Sequence, residues 1–249
     1  MTTGTLTLRN NRFYYRVMGQ GMPIVLVHGH NHDGDDFAAI ADNLARHWRV
    51  LVPDLRFHGA SEGALLGHPA RIADLAQDLH AILQALDFCQ PVMLGHSLGG
   101  MIALDYWRQY PGSVRALVLE DSFPHFQTGS DLLGGLFAPG VDSELRARIM
   151  AKSEANEAGA RVPESVWQSI LDFNAKPWLP SINVPTLALQ GDRGQLGPGA
   201  LQHALEILGT AQIPNVRVVS FKQCGHFIAL EQPVRYCAVL REFLSALPE

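Results

Sequence analysis

Cysteine is scarce in this chain. Three residues in 249, Cys89, Cys224 and Cys237, are too few and too unevenly spaced for a disulfide framework, and no CxxC occurs. Long apolar runs are missing as well, so no segment is expected to cross a bilayer. Charge of one sign is not concentrated anywhere. The net charge of −5 and the scattered Lys and Arg residues exclude the basic field that nucleic acid or anionic lipid would need. The opening "MTTGTLTLRN" lacks the basic and apolar regions of a signal peptide. Internal repeats, low-complexity tracts and linkers are also absent. The expectation is a reduced, cytoplasmic protein with one large domain.

What is present is alternation. "TLTLRN" and "FYYRVMG" read as two antiparallel strands. "PIVLVHG" (23–29), "RVLVPDL" (49–55), "PVMLGHS" (91–97), "VRALVLED" (114–121), "PTLALQGD" (185–192) and "VRVVSFK" (216–222) are continuous apolar runs, as expected for strands buried on both faces. Between them lie helical patterns. Within 69–87, Ile72, Leu75, Leu79, Ile82 and Leu86 recur at three and four, one stripe of a helix. Residues 98–110, 199–209 and 234–246 fit helices too. Strands alternating with helices predict an α/β fold, a mostly parallel central sheet covered by helices on both faces. The rhythm breaks once. From Ser122 to Ile182 there is no strand, only turns and helical patterns near 142–157 and 163–175. The expected organisation is therefore a core of 1–121 and 183–249 with a small helical cap, 122–182, inserted after the sixth strand.

Chemistry is concentrated in a few short stretches. Gly95-His96-Ser97-Leu98-Gly99 is a G-x-S-x-G between a strand and a helix. The pattern alone arises by accident in roughly one chain in ten of this size. Its setting is what makes it specific. A strand turning at once into a helix forces the serine into a strained conformation and leaves its hydroxyl exposed at the sheet edge. A serine hydroxyl needs a base to become a nucleophile. His226, after the last strand and before the last helix, is placed to be that base. His28-Gly29 ends an early strand, so the backbone N–H groups of His30 and Leu98 are the expected oxyanion donors.

With these motifs the chain resembles the α/β-hydrolase fold superfamily over almost its whole length, in the serine esterase and thioesterase-like branch. "HGH" is similar to the family's HG-x oxyanion segment. "DLRFHGAS" (54–61) is similar to its D-x-R-G-H-G-x-S loop, with Phe57 where glycine is usual. "GHSLGG" matches its nucleophile elbow and "GHFIALEQP" its histidine loop. The resemblance implies a triad acid for His226. Most of the family keeps that acid three residues beyond a glycine, as G-x-x-D, after the strand that here is "PTLALQ". In this chain the segment is Gly191-Asp192-Arg193-Gly194, and glycine occupies the acid position. Three replacements stand open: Asp121, at the end of "VLED", where some branches place the acid; Asp192; and Glu120. Glu120 and Asp121 could instead cap the first turn beyond the strand.

The implied activity is hydrolysis of a carboxylic ester, thioester or lactone through an acyl-enzyme on Ser97, on a small, apolar or weakly polar substrate and without a cofactor. Two other readings share the fold. One is a cofactor-independent quinolone-type dioxygenase using His226 and Asp121 as a base, whose oxyanion loop resembles "GHNHD" with a histidine at His32. The other is a small-ligand receptor. Histidines at 28, 30 and 32 could bind metal, but the His28-Gly29 turn breaks their alternation, and no metal is expected. Expected pocket residues are His32, Phe123, Phe126 and Trp178, from an apolar set that also includes Leu132, Leu133, Leu136, Phe137 and Trp167. His58 and His96 are expected to be structural, and Cys224 a packing residue. The oligomeric state is left open.

Overall fold

A computed structural model describes every residue except 127–134, 159–160, 194–197 and 249. Eight strands form one sheet: β1 (Thr2–Leu8), β2 (Asn11–Met18), β3 (Pro23–Val27), β4 (Arg49–Pro53), β5 (Val92–His96), β6 (Ala116–Glu120), β7 (Thr186–Gly191) and β8 (Val216–Phe221). Their order across the sheet is β1-β2-β4-β3-β5-β6-β7-β8. The β1-β2 and β2-β4 pairs are antiparallel, and every pair from β4 to β8 is parallel.

The continuous apolar runs sit in the middle of this sheet because both faces are covered. Successive residues of a strand point to opposite faces. Ile24 and Leu26 join one apolar cluster while Val25 and Val27 join the other, and Ala116 and Val118 alternate in the same way with Leu117 and Leu119. Helices α1 (Ala38–Leu44) and α8 (Pro233–Ser245) cover one face, through Ile40 and Leu44 and through Tyr236, Leu240 and Phe243. Helices α2 (Ile72–Ala85) and α3 (Leu98–Gln109) cover the other, through Leu75, Leu79 and Ile82 and through Met101, Ile102 and Leu104.

Helix α1 escapes periodicity because it has only seven residues. A capping aspartate stands upstream of it, where the Asp33 carboxylate accepts the Asp35 N–H and starts a 3-10 turn that leads into α1. Helix α2 begins at Ile72 rather than Pro69, with the Asp74 carboxylate accepting the N–H of Arg71.

Between β6 and β7 run α4 (Ser143–Ala158) and α5 (Glu164–Leu171), and no strand is found there among the described residues. Helix α4 is largely exposed apart from Ile149. Helix α5 buries Val166 and Ile170 in the same cluster as α2 and α3. The helical pattern expected over 163–175 stops at Leu171. The chain then continues as a 3-10 segment over Lys176–Ser181, where Pro177 and Pro180 each remove a backbone donor. Short helices α6 (Pro198–Leu208) and α7 (Ile228–Glu231) complete the chain.

Candidate active site

Strand β5 passes into α3 with Ser97 as the corner residue, at φ 52° and ψ −116°. Such a conformation costs a non-glycine residue of order 1–3 kcal/mol and persists only where its surroundings dictate it. Here they do. The Ser97 N–H donates to the Glu120 carbonyl at 3.0 Å, and its carbonyl accepts the Ser122 hydroxyl at 2.7 Å. The flanking glycines are sterically required. A Cβ on Gly95 would lie 2.2 Å from the Gly99 backbone, and one on Gly99 would lie 2.0 Å from the Val27 carbonyl oxygen. The G-x-S-x-G spacing therefore follows from the sharpness of the turn.

His226 stands in the loop between β8 and α7. Its Nδ1 lies 2.5 Å from Asp121 Oδ2. Asp121 is the first residue after β6, fully buried, with φ 43°. Of the three candidate carboxylates it is the one that meets His226. Asp192 accepts the Gln223 N–H at 2.7 Å. Glu120 accepts the Ala229 N–H at 2.8 Å and the Tyr236 hydroxyl at 2.7 Å, on the far side of the strand end. Burial pushes the Glu120 carboxyl up to about 8, against the pull of those two donors. Asp121 goes the other way. Burial would raise it, but the Arg193 guanidinium, with His226, holds the carboxyl well below its ordinary value. The proton on Nδ1 is thus shared with an ionised carboxylate, which directs the lone pair of the imidazole to Nε2.

On the other side of Ser97, the chain leaves β3 through His28 and Gly29. His28 is fully buried. Its Nδ1–H donates to the Gly29 carbonyl at 2.8 Å, and Nε2 accepts the Leu55 N–H at 3.0 Å. The segment that follows β3 is thereby tied to the 54–61 loop. In that loop Phe57 adopts φ 70° despite its bulk, and its ring is buried in the core. Burial, reinforced by His32 and His28, lowers His30 to about 4, so this imidazole is neutral at pH 7. Leu98 is the first residue of α3, where the helix has no acceptor of its own for the N–H.

One cavity of about 240 Å³ brings these parts together. His30, His32, Ser97 and His226 line it, and Phe126, Leu136, Ile149 and Phe227 supply apolar wall. Phe123 and Trp178 do not line it. Phe123 packs against Leu205 and Leu208, and Trp178 stacks on Trp107 with ring centroids 6.2 Å apart. Trp167 takes the aromatic place instead, 5.5 Å from the His30 ring. Leu132 and Leu133 lie outside the described residues, as does Gly194. An adjoining recess of about 430 Å³ shares His30, Asn31, Glu157 and Trp167 with the cavity.

Of three supports, His96 was expected to be structural, and Arg193 and Lys152 were missed. His96 lies against the His226 ring, and its Nε2 donates to the His226 carbonyl at 3.0 Å. Arg193 forms a two-pronged ion pair with Asp121. Lys152 on α4 bridges Asp33 and Asp36 at 2.6 and 2.7 Å, and Asp36 in turn sits 2.6 Å from His32 Nδ1. The only sequence signal for the last was the acid-rich "HDGDD" itself. Among the described residues no helix is long and apolar enough to cross a membrane.

Comparison with known proteins narrows the family. The sequence model of a family described as alpha/beta hydrolase fold matches residues 22–140. A Mycobacterium tuberculosis protein of uncharacterized function is 31% identical over 276 residues, spanning 96% of this chain and 80% of its own. The pimeloyl-[acyl-carrier protein] methyl ester esterase of Xanthomonas oryzae pv. oryzae is 27% identical, spanning 93% of this chain and 98% of its own. Among solved structures, Est816, described as an N-acyl homoserine lactone degrading enzyme, superposes with a TM-score of 0.81 at 26% identity, over 96% of this chain and 100% of that one.

Proposed function

The chain belongs to the α/β-hydrolase fold superfamily, and from that premise we propose that it is a carboxylic-ester hydrolase that cleaves an ester, thioester or lactone through an acyl-enzyme on Ser97. One observation carries this reading: Ser97, at a strained strand-to-helix corner, shares a cavity with a histidine whose Nδ1 is held by a buried, ionised carboxylate. The esterase and lactonase among its relatives support the same reaction class.

In this mechanism His226 Nε2 takes the Ser97 proton as Oγ adds to the carbonyl carbon. Asp121 keeps the imidazole in the required tautomer and stabilises the imidazolium. The backbone N–H groups of His30 and Leu98 receive the oxyanion, an interaction of order 3 kcal/mol for each donor. The tetrahedral species collapses, and the leaving oxygen or sulfur takes the proton from His226. Water, deprotonated by the same imidazole, then releases the acyl group. Residues 122–182 act as a helical cap over a core of 1–121 and 183–249, and α4 closes the cavity with Ile149 and Met150. A cavity this small suits a short acyl group, with the recess beside Trp167 receiving a longer leaving group. The reading takes the protein as cytoplasmic, consistent with three unpaired cysteines.

The test is hydrolysis of p-nitrophenyl and thioester panels of graded chain length. Wild type should turn over short acyl chains. Ser97→Ala should fall by about 10⁴-fold or more in kcat, and fluorophosphonate should label wild type but not the variant. Full turnover by Ser97→Ala would overturn the mechanism. One observation favours a second reading: His32, set against Asp36 in the same cavity, fits the histidine of the dioxygenase-like oxyanion loop. Oxygen uptake with a 3-hydroxy-4-quinolone, in the absence of ester turnover, would select it.

A further inference from the structure

The loop after β7 is where most of the resembling family keeps its triad acid. Here it carries Arg193, a residue that belongs to no motif. Arg193 is buried, with a left-handed φ of 56°. Its N–H donates to the Cys224 carbonyl at 2.9 Å, which fixes the loop against the histidine loop. Each nitrogen of its guanidinium is engaged. Nη1 reaches Asp121 Oδ1 at 2.6 Å and the Gly191 carbonyl at 2.8 Å, Nη2 reaches Asp121 Oδ2 at 2.5 Å, and Nε reaches the Gly135 carbonyl at 3.2 Å. The Gly191 N–H and the Gln190 amide also donate to Asp121 Oδ1. Among the described residues, every donor but one on this carboxylate comes from β7 and the loop that follows it. The exception is His226, on Oδ2.

We propose that Arg193 is a positioning residue for the Ser97 reaction, holding Asp121 anionic and rotated so that one lone pair of Oδ2 is left for His226 Nδ1. The loop that would have supplied the acid supplies its counter-ion instead. The proposal rests on the triad reading above. A planar guanidinium docking both carboxylate oxygens fixes rotation about the Cβ–Cγ bond, which a single hydrogen bond does not. It also sets charge. The imidazolium that forms on His226 faces an Arg–Asp pair that is neutral overall, not a bare carboxylate. Among the described residues, the other titratable and charged groups around the dyad are His96 on β5, Glu120 on β6, Cys224 and Glu231 beside the histidine loop, His32 with Asp36, and His30 and Glu157 in the cavity wall.

Removing a buried cation raises the proton affinity of a coupled carboxylate–imidazole pair, whichever partner takes the proton. In Arg193→Gln the acid limb of the kcat/KM–pH profile should therefore move to higher pH, by about one unit. At the pH optimum, kcat should drop about tenfold or more through lost orientation. Arg193→Lys keeps the charge and loses the fork, so kcat should fall while the limb stays within about 0.3 unit of wild type. If Arg193→Gln does not fold, Arg193→Lys alone decides, since undiminished kcat in that variant overturns the proposal. A direct readout needs no turnover: the Nδ1 proton resonance of His226, identified by its loss in His226→Ala, should change position in Arg193→Gln as the Asp121 carboxylate it bonds loses its fixed orientation. An unshifted limb and resonance would leave Arg193 a packing residue. Ser97→Ala and Asp121→Asn in the same assay separate the two ideas. If both retain activity the triad reading fails, and if both are dead while Arg193→Gln matches wild type, this proposal alone fails.

Discussion

Two places beside Ser97 are built on the same plan, and they are executed differently. At the β7 corner a cation, a carboxylate and an imidazole line up as Arg193, Asp121 and His226. In the segment after β3 the series is Lys152, Asp36 and His32. Both imidazoles line the same cavity. The carboxylate of the first series is fully buried and its arginine 6% exposed, whereas Asp36 is 12% and Lys152 24% exposed. Arginine docks as a rigid fork, while lysine is a point charge shared between Asp33 and Asp36. The arginine belongs to the sheet's own loop; the lysine comes from α4. The first series is suited to hold a geometry, and the second to fasten α4 to the segment after β3.

Neutralising the carboxylate in each series should separate the two roles. Asp121→Asn is expected to lower kcat by about 10⁴-fold, because the amide stabilises the wrong histidine tautomer. It also strands Arg193 as a buried, unpaired cation, so stability should drop by about 3–5 kcal/mol. In urea unfolding, adding Arg193→Gln to Asp121→Asn should recover part of that loss while activity stays absent. Asp36→Asn should behave otherwise. It loosens α4, so KM should rise by about threefold to tenfold with kcat changed less than about threefold. A kcat loss comparable to that of Asp121→Asn would make His32 a participant in the reaction and erase the distinction.

Much of this was legible in the sequence, for physical reasons that can be named. The elbow is short: Gly95 answers a clash with Gly99 four residues on and Gly99 a clash with the Val27 carbonyl of β3, so the two glycines still announce Ser97 by their spacing. The central strands announce themselves because both faces are buried. The identity of the acid was narrowed to three residues, and only the positions of the side chains separate Asp121, paired to His226, from Glu120 and Asp192. The supports were illegible. Arg193 meets Asp121 across 72 residues, and Lys152 meets Asp33 across 119, and neither pairing leaves a periodic or spaced signature. Aromatic content was no guide to the cavity either. Trp167 stands on α5 and Trp178 in the 3-10 segment after it, and only the folded positions show that Trp167 lines the cavity with Ser97 while Trp178 stacks on Trp107.

The smaller effects lie farther from the reaction. Lys152→Met should cost about 1 kcal/mol, the upper end for a partly exposed pair, and high salt should shrink the difference from wild type in the same urea experiment. A loss that salt leaves unchanged would point to packing of the lysine stem.

Glu120 gives the finest contrast, since it adjoins Asp121 and solves the same burial without a cation. Its carboxyl is raised from an ordinary value near 4.5 to about 8. The folded state thus holds the proton more tightly than the unfolded chain does. The stabilisation this provides is complete below about pH 4.5 and is lost progressively as pH rises to about 8. Glu120→Gln keeps the shape and both hydrogen-bonding partners but cannot ionise. Between pH 5 and 8 the wild type should therefore lose Tm relative to Glu120→Gln, by about 2 °C for each 1 kcal/mol of difference. Asp121, whose folded carboxyl is held low, is ionised in both the folded and unfolded chain across this window and adds no slope to either protein. Parallel Tm–pH curves would mean that Glu120 is ionised in the fold, and the neighbouring carboxylates would then share one electrostatic solution.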